Sequence, residues 1–227
     1  MFLNTNFPKA QKYWYEGDLR DWSEAGCHPM THALHYGSCV FEGIRAYGTA
    51  KGPAVFRLPE HVDRFMLSAG VVKMKCRFSK DEIAEAIKET VRANGLESCY
   101  IRPLLFYGYG NLGLVPKACP VELAISAWEW GAYLGENAAQ GVNAFISPWR
   151  RVHHTQFNMS AKLGGVYVQS TICALEAREQ GFGECIFLNM EGRVAEGPGQ
   201  NVFIVKGQTL VTNGRLESCL LYTSDAA

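Results

Sequence analysis

The sequence predicts an α+β protein in two parts, a mixed α/β first domain and a β-rich second one. Three observations lead there. Strand-like and helix-like stretches alternate through the first 130 residues; WGAYLGENAAQG, residues 130 to 141, breaks that pattern with glycine and polar residues; and beyond Gly181 the texture turns to short apolar runs separated by turns. With 227 residues, 48% of them hydrophobic and 12% aromatic, the chain suits one large or two modest cores. The expected division is a first domain over 1–130, a linking loop at 131–141, a second domain over 142–212 and a tail at 213–227.

Each element has its own signal. VFEGIRAY, residues 40 to 47, reads as a strand, and Gly48 to Pro53 as a turn. Pro59 opens a helix whose apolar stripe is Val62, Phe65, Met66 and Ala69. Ser79 and Glu82 form a capping box for a second helix, which stops near Asn94-Gly95. SCYIRPLLFYG follows as a strand with Tyr100 and Arg102 on one face and Ile101 and Leu105 on the other; Pro103 predicts an edge position or a bulge. Residues 108–120 read as a loop and VELAISAW as a buried strand. In the second part come a strand (VNAFIS), an irregular polar segment (PWRRVHHTQFN) and a helix from Tyr167 to Glu179. GECIFLN, a turn at Met190-Glu191-Gly192, and RVAEGPGQNVFIVKGQTLVT complete it.

Composition excludes several classes. Lys plus Arg and Asp plus Glu are both 22, and no basic stripe appears, which argues against nucleic acid or an anionic membrane as partner. The eight cysteines are scattered singly, with no CxxC pair and no opening signal peptide, against a disulfide framework or zinc ribbon. The apolar runs are too short to span a membrane. A soluble protein of the reducing cytoplasm is expected.

Candidate chemistry starts at Lys162 in NMSAKLGGVYVQ. An amine just before a helix and beside Gly164-Gly165, partly desolvated, becomes nucleophilic toward carbonyls; a solvated turn lysine is the commoner meaning of such a pattern. Glu196, in VAEGPGQNVF, sits where backbone N–H groups hold a carboxylate inward to pair with a protonated ring nitrogen, or it is an ordinary turn acid. Arg64 lies just off the stripe of its helix, placed either to reach a phosphate or to lie along the core edge. Tyr100 and Arg102 share a strand face, as a carboxylate-binding pair or a polar outer face. His28, His32 and His35 are close in sequence but lack acidic or thiolate partners at ligand spacing, so no metal site is expected. GxSxG, Walker A and strand-borne GxGxxG motifs are absent.

Six blocks, in order, carry a resemblance. HALHYGSCVFEGIRAY, VFRLPEHVDRF, YIRPLLF, WGAYLG, SAKLGGVY and AEGPGQNVF are similar to the branched-chain amino-acid aminotransferases, of the class IV, fold-type IV family of pyridoxal-phosphate enzymes. The similarity runs from about Trp14 to Thr212. It implies a D-amino-acid aminotransferase-like fold, with a small α/β N-terminal domain and a larger, β-rich pseudo-barrel domain that binds the cofactor, incomplete here. It implies that Lys162 forms the Schiff base with pyridoxal phosphate and shuttles the proton, that Glu196 faces the pyridine nitrogen, that Arg64 binds the phosphate and that Tyr167 lies at the phenolic oxygen. Tyr36, Phe41, Tyr100, Trp130 and Tyr133 match pocket-lining positions, and Arg102 the arginine that takes the distal carboxylate of glutamate. Tyr36 and the loop around Leu114 are implied to reach in from a neighbouring subunit, hence a homodimer or higher oligomer.

The implied reaction is a ping-pong exchange of amino groups between leucine, isoleucine or valine and 2-oxoglutarate. Family members continue with a further phosphate-binding segment, whereas residues 213–227 match nothing in it, so a C-terminally truncated fragment is expected. Alternatives within the fold are D-amino-acid aminotransferase, aminodeoxychorismate lyase and R-selective amine transaminase; outside it, a non-catalytic fragment or oligomerisation module.

Overall fold

A computed structural model describes residues 10–130 and 140–214. The chain divides into two units, Met1–Gly131 and Ala132–Ala227. The first is organised by one antiparallel sheet of β1 (Lys12–Tyr15), β2 (Asp18–Asp21), β3 (Cys39–Phe41), β4 (Ile44–Thr49), β5 (Gly52–Val55), β6 (Cys99–Tyr107) and β7 (Val121–Trp128). The spatial order is β2-β1-β7-β6-β4-β5, with β3 also paired to β6. A short helix α1 (His32–Tyr36) precedes β3, and α2 (Leu58–Val71) and α3 (Lys80–Ala93) lie between β5 and β6. The latter two pack on each other, and α3 covers β1, β6 and β7.

The helices form where their signals stand. Pro59 occupies the first turn of α2, where no N–H is needed. Val62, Phe65 and Ala69 turn inward, while Met66 is only half-buried. Ser79 and Glu82 make the reciprocal capping box of α3, and Ile83 and Ile87 are fully buried beneath it. On β6 the period of two puts Ile101, Pro103 and Leu105 inward, against Leu123, Ile125 and Ala127 of β7. Burial of each large apolar side chain in this layer contributes on the order of 1.5–3 kcal/mol.

Two expectations are corrected. VFEGIRAY is not one strand: it breaks at Glu42-Gly43, and β3 and β4 pair with β6 on either side of the break. At the break the Glu42 carboxylate meets Arg64 and His61, while its backbone N still bonds to β6. Gly43 is required because a Cβ there would lie 2.2 Å from Tyr100 Oη. Pro103 marks neither an edge nor a bulge, since β6 is central and its register with β7 runs unbroken from Tyr100 to Tyr107. Its carbonyl accepts from Glu42 N at 3.0 Å. In a strand the N and the carbonyl of one residue point the same way, so the missing N–H faces the break between β3 and β4, where no acceptor needs it.

In the second unit β8 (Ala144–Arg150) and β9 (Glu184–Leu188) pair in parallel, connected by α4 (Tyr167–Glu179), which packs on both. A parallel pair needs such a crossover. The strand read as VNAFIS in fact runs on to Arg150, and a register shift between Ile146 and Arg150 absorbs Pro148. Cys173, Ala177, Cys185, Phe187 and Ala195 form the core, with the Cys173 and Cys185 sulfurs against each other. After β9 the chain turns back, so that Ala195 N donates to Phe187 O at 2.9 Å and Phe187 N to Glu196 O at 2.8 Å. A hairpin of β10 (Phe203–Lys206) and β11 (Thr209–Thr212) follows.

Asn94, at the end of α3, ties that helix to β1. Its Oδ1 accepts from Gln11 N at 2.7 Å and Lys12 N at 2.9 Å, and its Nδ2 donates to Lys12 O at 3.0 Å and Thr90 O at 2.8 Å. Asn94→Ala strands these backbone groups and is expected to cost about 1–3 kcal/mol in urea unfolding. A loss under ~0.5 kcal/mol would show that water replaces the side chain without penalty.

Candidate active site

The sequence-singled residues fall into groups in each unit. In the first, Arg102 donates from Nη2 to Tyr100 Oη at 2.7 Å, and its guanidinium carbon lies 4.5 Å from the centroid of the Phe41 ring. Tyr100 stands edge-on to Trp130, centroids 4.7 Å apart, and Trp128 completes the aromatic wall at 5.2 Å from Tyr100. These side chains converge because Phe41 ends β3 while Tyr100 and Arg102 alternate along β6, which pairs with it. Arg102 Nε is buried and makes no hydrogen bond among the described residues. A guanidinium on aromatic faces with a donor still to satisfy is suited to a carboxylate.

Tyr36 closes α1, and its hydroxyl donates to Leu112 O at 2.6 Å. Leu114, two residues further along that loop, is 82% exposed. These two positions therefore belong to an exposed corner of the unit. Tyr133 lies outside the described residues.

Arg64 donates to Glu42 from Nε at 2.5 Å and from Nη2 at 2.7 Å, and His61 Nδ1 lies 2.9 Å from the same carboxylate. Glu42 and His61 are fully buried. Burial pushes the Glu42 carboxyl up, but the hydrogen bonds of Arg64 and His61 and the guanidinium charge outweigh it and hold the group below the ordinary 4.5. His61 and Arg64 are one helical turn apart on α2, the spacing that puts both on one face.

In the second unit the Lys162 amine is half-buried, flanked by buried Ala161 and Leu163, and lies 2.6 Å from the hydroxyl of Tyr167. Gly164 to Val166 form a single 3-10 turn that leads straight into α4. That tight turn brings the first residue of the helix back over the lysine. Glu196 is 4% exposed and forms an ion pair with Arg151, Nε to Oε1 at 2.6 Å, while Arg151 Nη1 donates to Ser170 Oγ at 3.1 Å.

Glu42, His61, Arg151 and Ser170 escaped the sequence reading. Glu42 had a signal, a carboxylate between Phe41 and Gly43 inside a strand-like run, and His61 had its helical spacing from Arg64. Arg151 had none, since it stands beside Arg150 in a polar stretch. Among the described residues no cluster of three or more His, Cys, Asp or Glu is placed to hold a metal. Burial pushes the Cys99 thiol up to about 11, so that cysteine is no nucleophile at neutral pH.

The second unit thus holds a half-buried lysine on a phenol and an inward glutamate pinned by an arginine. Residues 39–222 match the family model described as Amino-transferase class IV. The chain belongs to the class IV aminotransferases. It is 46% identical, over 201 residues, to the branched-chain-amino-acid aminotransferase of Pseudomonas aeruginosa, covering 88% of this chain but 65% of that relative. Its fold superimposes on the crystal structure of the Escherichia coli branched-chain amino acid aminotransferase with a TM-score of 0.90 at 42% identity, covering 93% of this chain and 70% of that one. It also matches the branched-chain aminotransferase of the thermophilic archaeon Thermoproteus uzoniensis, solved with norvaline, with a TM-score of 0.86 at 38% identity, covering 93% and 71%. The chain thus spans roughly two thirds of the length of the relatives it matches.

Because Glu42 is held ionised in the fold more strongly than in an open chain, it contributes stability above pH ~4.5. That contribution is lost as the pH falls through its lower folded value. Glu42→Gln is expected to cost about 3–5 kcal/mol at pH 7, by removing the buried charge that Arg64 and His61 hydrogen-bond. In urea titrations the gap between wild type and E42Q should narrow below pH ~4.5; a gap that does not change with pH would remove the ion pair as its cause.

Proposed function

We propose that this chain catalyses the pyridoxal-phosphate-dependent transfer of an amino group from branched-chain L-amino acids to 2-oxoglutarate. The observation that carries the reading is the Lys162 amine set 2.6 Å from the Tyr167 hydroxyl, on a fold shared with branched-chain aminotransferases. The residues fit the cofactor: an amine for its aldehyde, a phenol for its ring oxygen, the buried Glu196 carboxylate for its ring nitrogen and Arg64, braced by Glu42, for its phosphate. Bound pyridoxal phosphate supplies the carbonyl that captures amines and a ring that withdraws electrons from the substrate Cα.

The chain's own groups do the rest. Lys162, held by Tyr167, would take the proton from the substrate Cα and return it on the far side of the nitrogen, to the cofactor's former aldehyde carbon, as the amino group changes hands. Phe41, Tyr100 and Trp130, with Tyr133 from outside the described residues, exclude water from an aliphatic side chain. Arg102, with its buried Nε unspent, takes the distal carboxylate when glutamate or 2-oxoglutarate binds instead. The exposed corner of Tyr36 and Leu114 serves the pocket of a neighbouring copy, in a cytoplasmic homodimer or larger oligomer.

Loading with pyridoxal phosphate and reducing with borohydride is expected to leave the cofactor on Lys162, seen by peptide mass mapping, and nothing on Lys162→Ala. Turnover of L-leucine with 2-oxoglutarate should exceed that of D-alanine. Both measurements are made on the chain as given and on the chain joined to a relative's remaining C-terminal third. Activity confined to D-alanine, or no trapped lysine at either length, would sink the reading.

Arg102→Met separates the two substrates. The KM for 2-oxoglutarate should rise about tenfold to a hundredfold, as for a lost charge-assisted hydrogen bond, while leucine's changes less than ~3-fold. Equal losses for both would place Arg102 in the scaffold.

A further inference from the structure

Among the described residues Arg151 is the largest fully buried side chain, at 1% exposed. A guanidinium does not shed its charge, so burying it is costly unless its surroundings match it. Here they do, from three pieces of chain. Nε donates to Glu196 Oε1 at 2.6 Å, on the segment after β9; Nη1 donates to Ser170 Oγ at 3.1 Å, on α4; and the guanidinium carbon lies 5.2 Å from the Phe187 ring centroid, on β9. The backbone of Arg151 is fixed separately, its N donating to Leu188 O at 2.8 Å.

Packing does not account for an arginine at this point, since an apolar side chain of that size would fill the space without the cost of a buried charge. Placing the Glu196 segment does not require it either, because Phe187 N already holds Glu196 O at 2.8 Å. What the guanidinium adds is a fixed positive charge and a fixed direction on the Glu196 carboxylate. We propose that Arg151, braced by Ser170, is a positioning residue that holds Glu196 as an oriented anion, so that a proton shared between Glu196 and the cofactor's ring nitrogen stays on the nitrogen. This rests on the proposed function, in which Glu196 faces that nitrogen. Ser170 lies one helical turn beyond Tyr167, so the helix that presents a phenol to Lys162 also presents a hydroxyl to Arg151.

The test is a cycle of Arg151→Met, Arg151→Lys, Glu196→Gln and the E196Q/R151M double variant in the pyridoxal-phosphate-loaded protein. Leucine turnover and the visible absorption of the bound cofactor are both read. Arg151→Met is expected to lower kcat roughly tenfold to a hundredfold, the range for losing a support behind a ligating group, with KM nearly unchanged. It should displace the absorption band in the direction that E196Q does, and R151K should recover most of both effects. In the E196Q background, R151M should add less than ~3-fold, because its effect passes through that carboxylate. An equal loss of kcat in both backgrounds, or a wild-type band and rate in R151M, overturns the inference. Should R151M alone not fold, Arg151→Gln, which keeps a hydrogen-bond donor but loses the charge, is compared in the two backgrounds with the same expected outcomes. Failure to trap the cofactor on Lys162 in the wild type would instead overturn the proposed function, and this inference with it.

Discussion

In each unit a guanidinium and a carboxylate are buried against each other, and much of the local structure is arranged so that neither is left alone. Glu42 and Arg64 are one such pair, Arg151 and Glu196 the other. An unpaired charge in an interior costs several kcal/mol, so a chain that buries one has to deliver its partner to within hydrogen-bond distance. This explains features that hydrophobic pattern alone does not. The first strand run breaks at Glu42-Gly43, where the Glu42 carboxylate meets Arg64 and where a Cβ on Gly43 would collide with Tyr100 Oη. The turn after β9 returns the chain beside Phe187, which places Glu196 at the end of Arg151.

Strand β6 shows how one sequence period serves two ends. Its inward residues, Ile101 and Leu105, are fully buried in the core, while Tyr100 and Arg102 on the opposite face meet Phe41 and Trp130. Rigidity in the core fixes the spacing of the aromatic and basic groups, because successive side chains of a strand cannot move independently. A central strand also resists register shifts, and the unbroken pairing with β7 adds to that.

Much of this was legible in the sequence, for reasons that differ by residue. The helices over 58–71 and 80–93 announced themselves because capping chemistry and apolar spacing are local. The period of two in β6 likewise gave the faces of Tyr100 and Arg102. What stayed hidden depends on partners distant in sequence: whether VFEGIRAY is broken depends on Arg64, and whether Pro103 is tolerated in a central strand depends on where that break falls. Lys162 alone reads as a turn lysine, and it gains meaning from Tyr167 at a distance no local pattern states. Arg151 carried no signal because burial is a property of the fold.

The two units also differ in how their strands find one another. In the first, β1 with β2, β4 with β5 and β6 with β7 are antiparallel neighbours along the chain, and longer pairings of β1 with β7 and of β3 and β4 with β6 join them into one sheet. In the second, Ala144 can meet Glu184 only after the intervening segment, including α4, has been made and folded back. Entropy lost in closing that loop precedes any reward from its hydrogen bonds, and unlike the first unit this pair has no hairpin neighbour to start from. During synthesis the sheet of the first unit leaves the ribosome complete while β9 is still to come. Lys162 and the phenol that opens α4 therefore emerge before β9 and before the buried Glu196 that follows it.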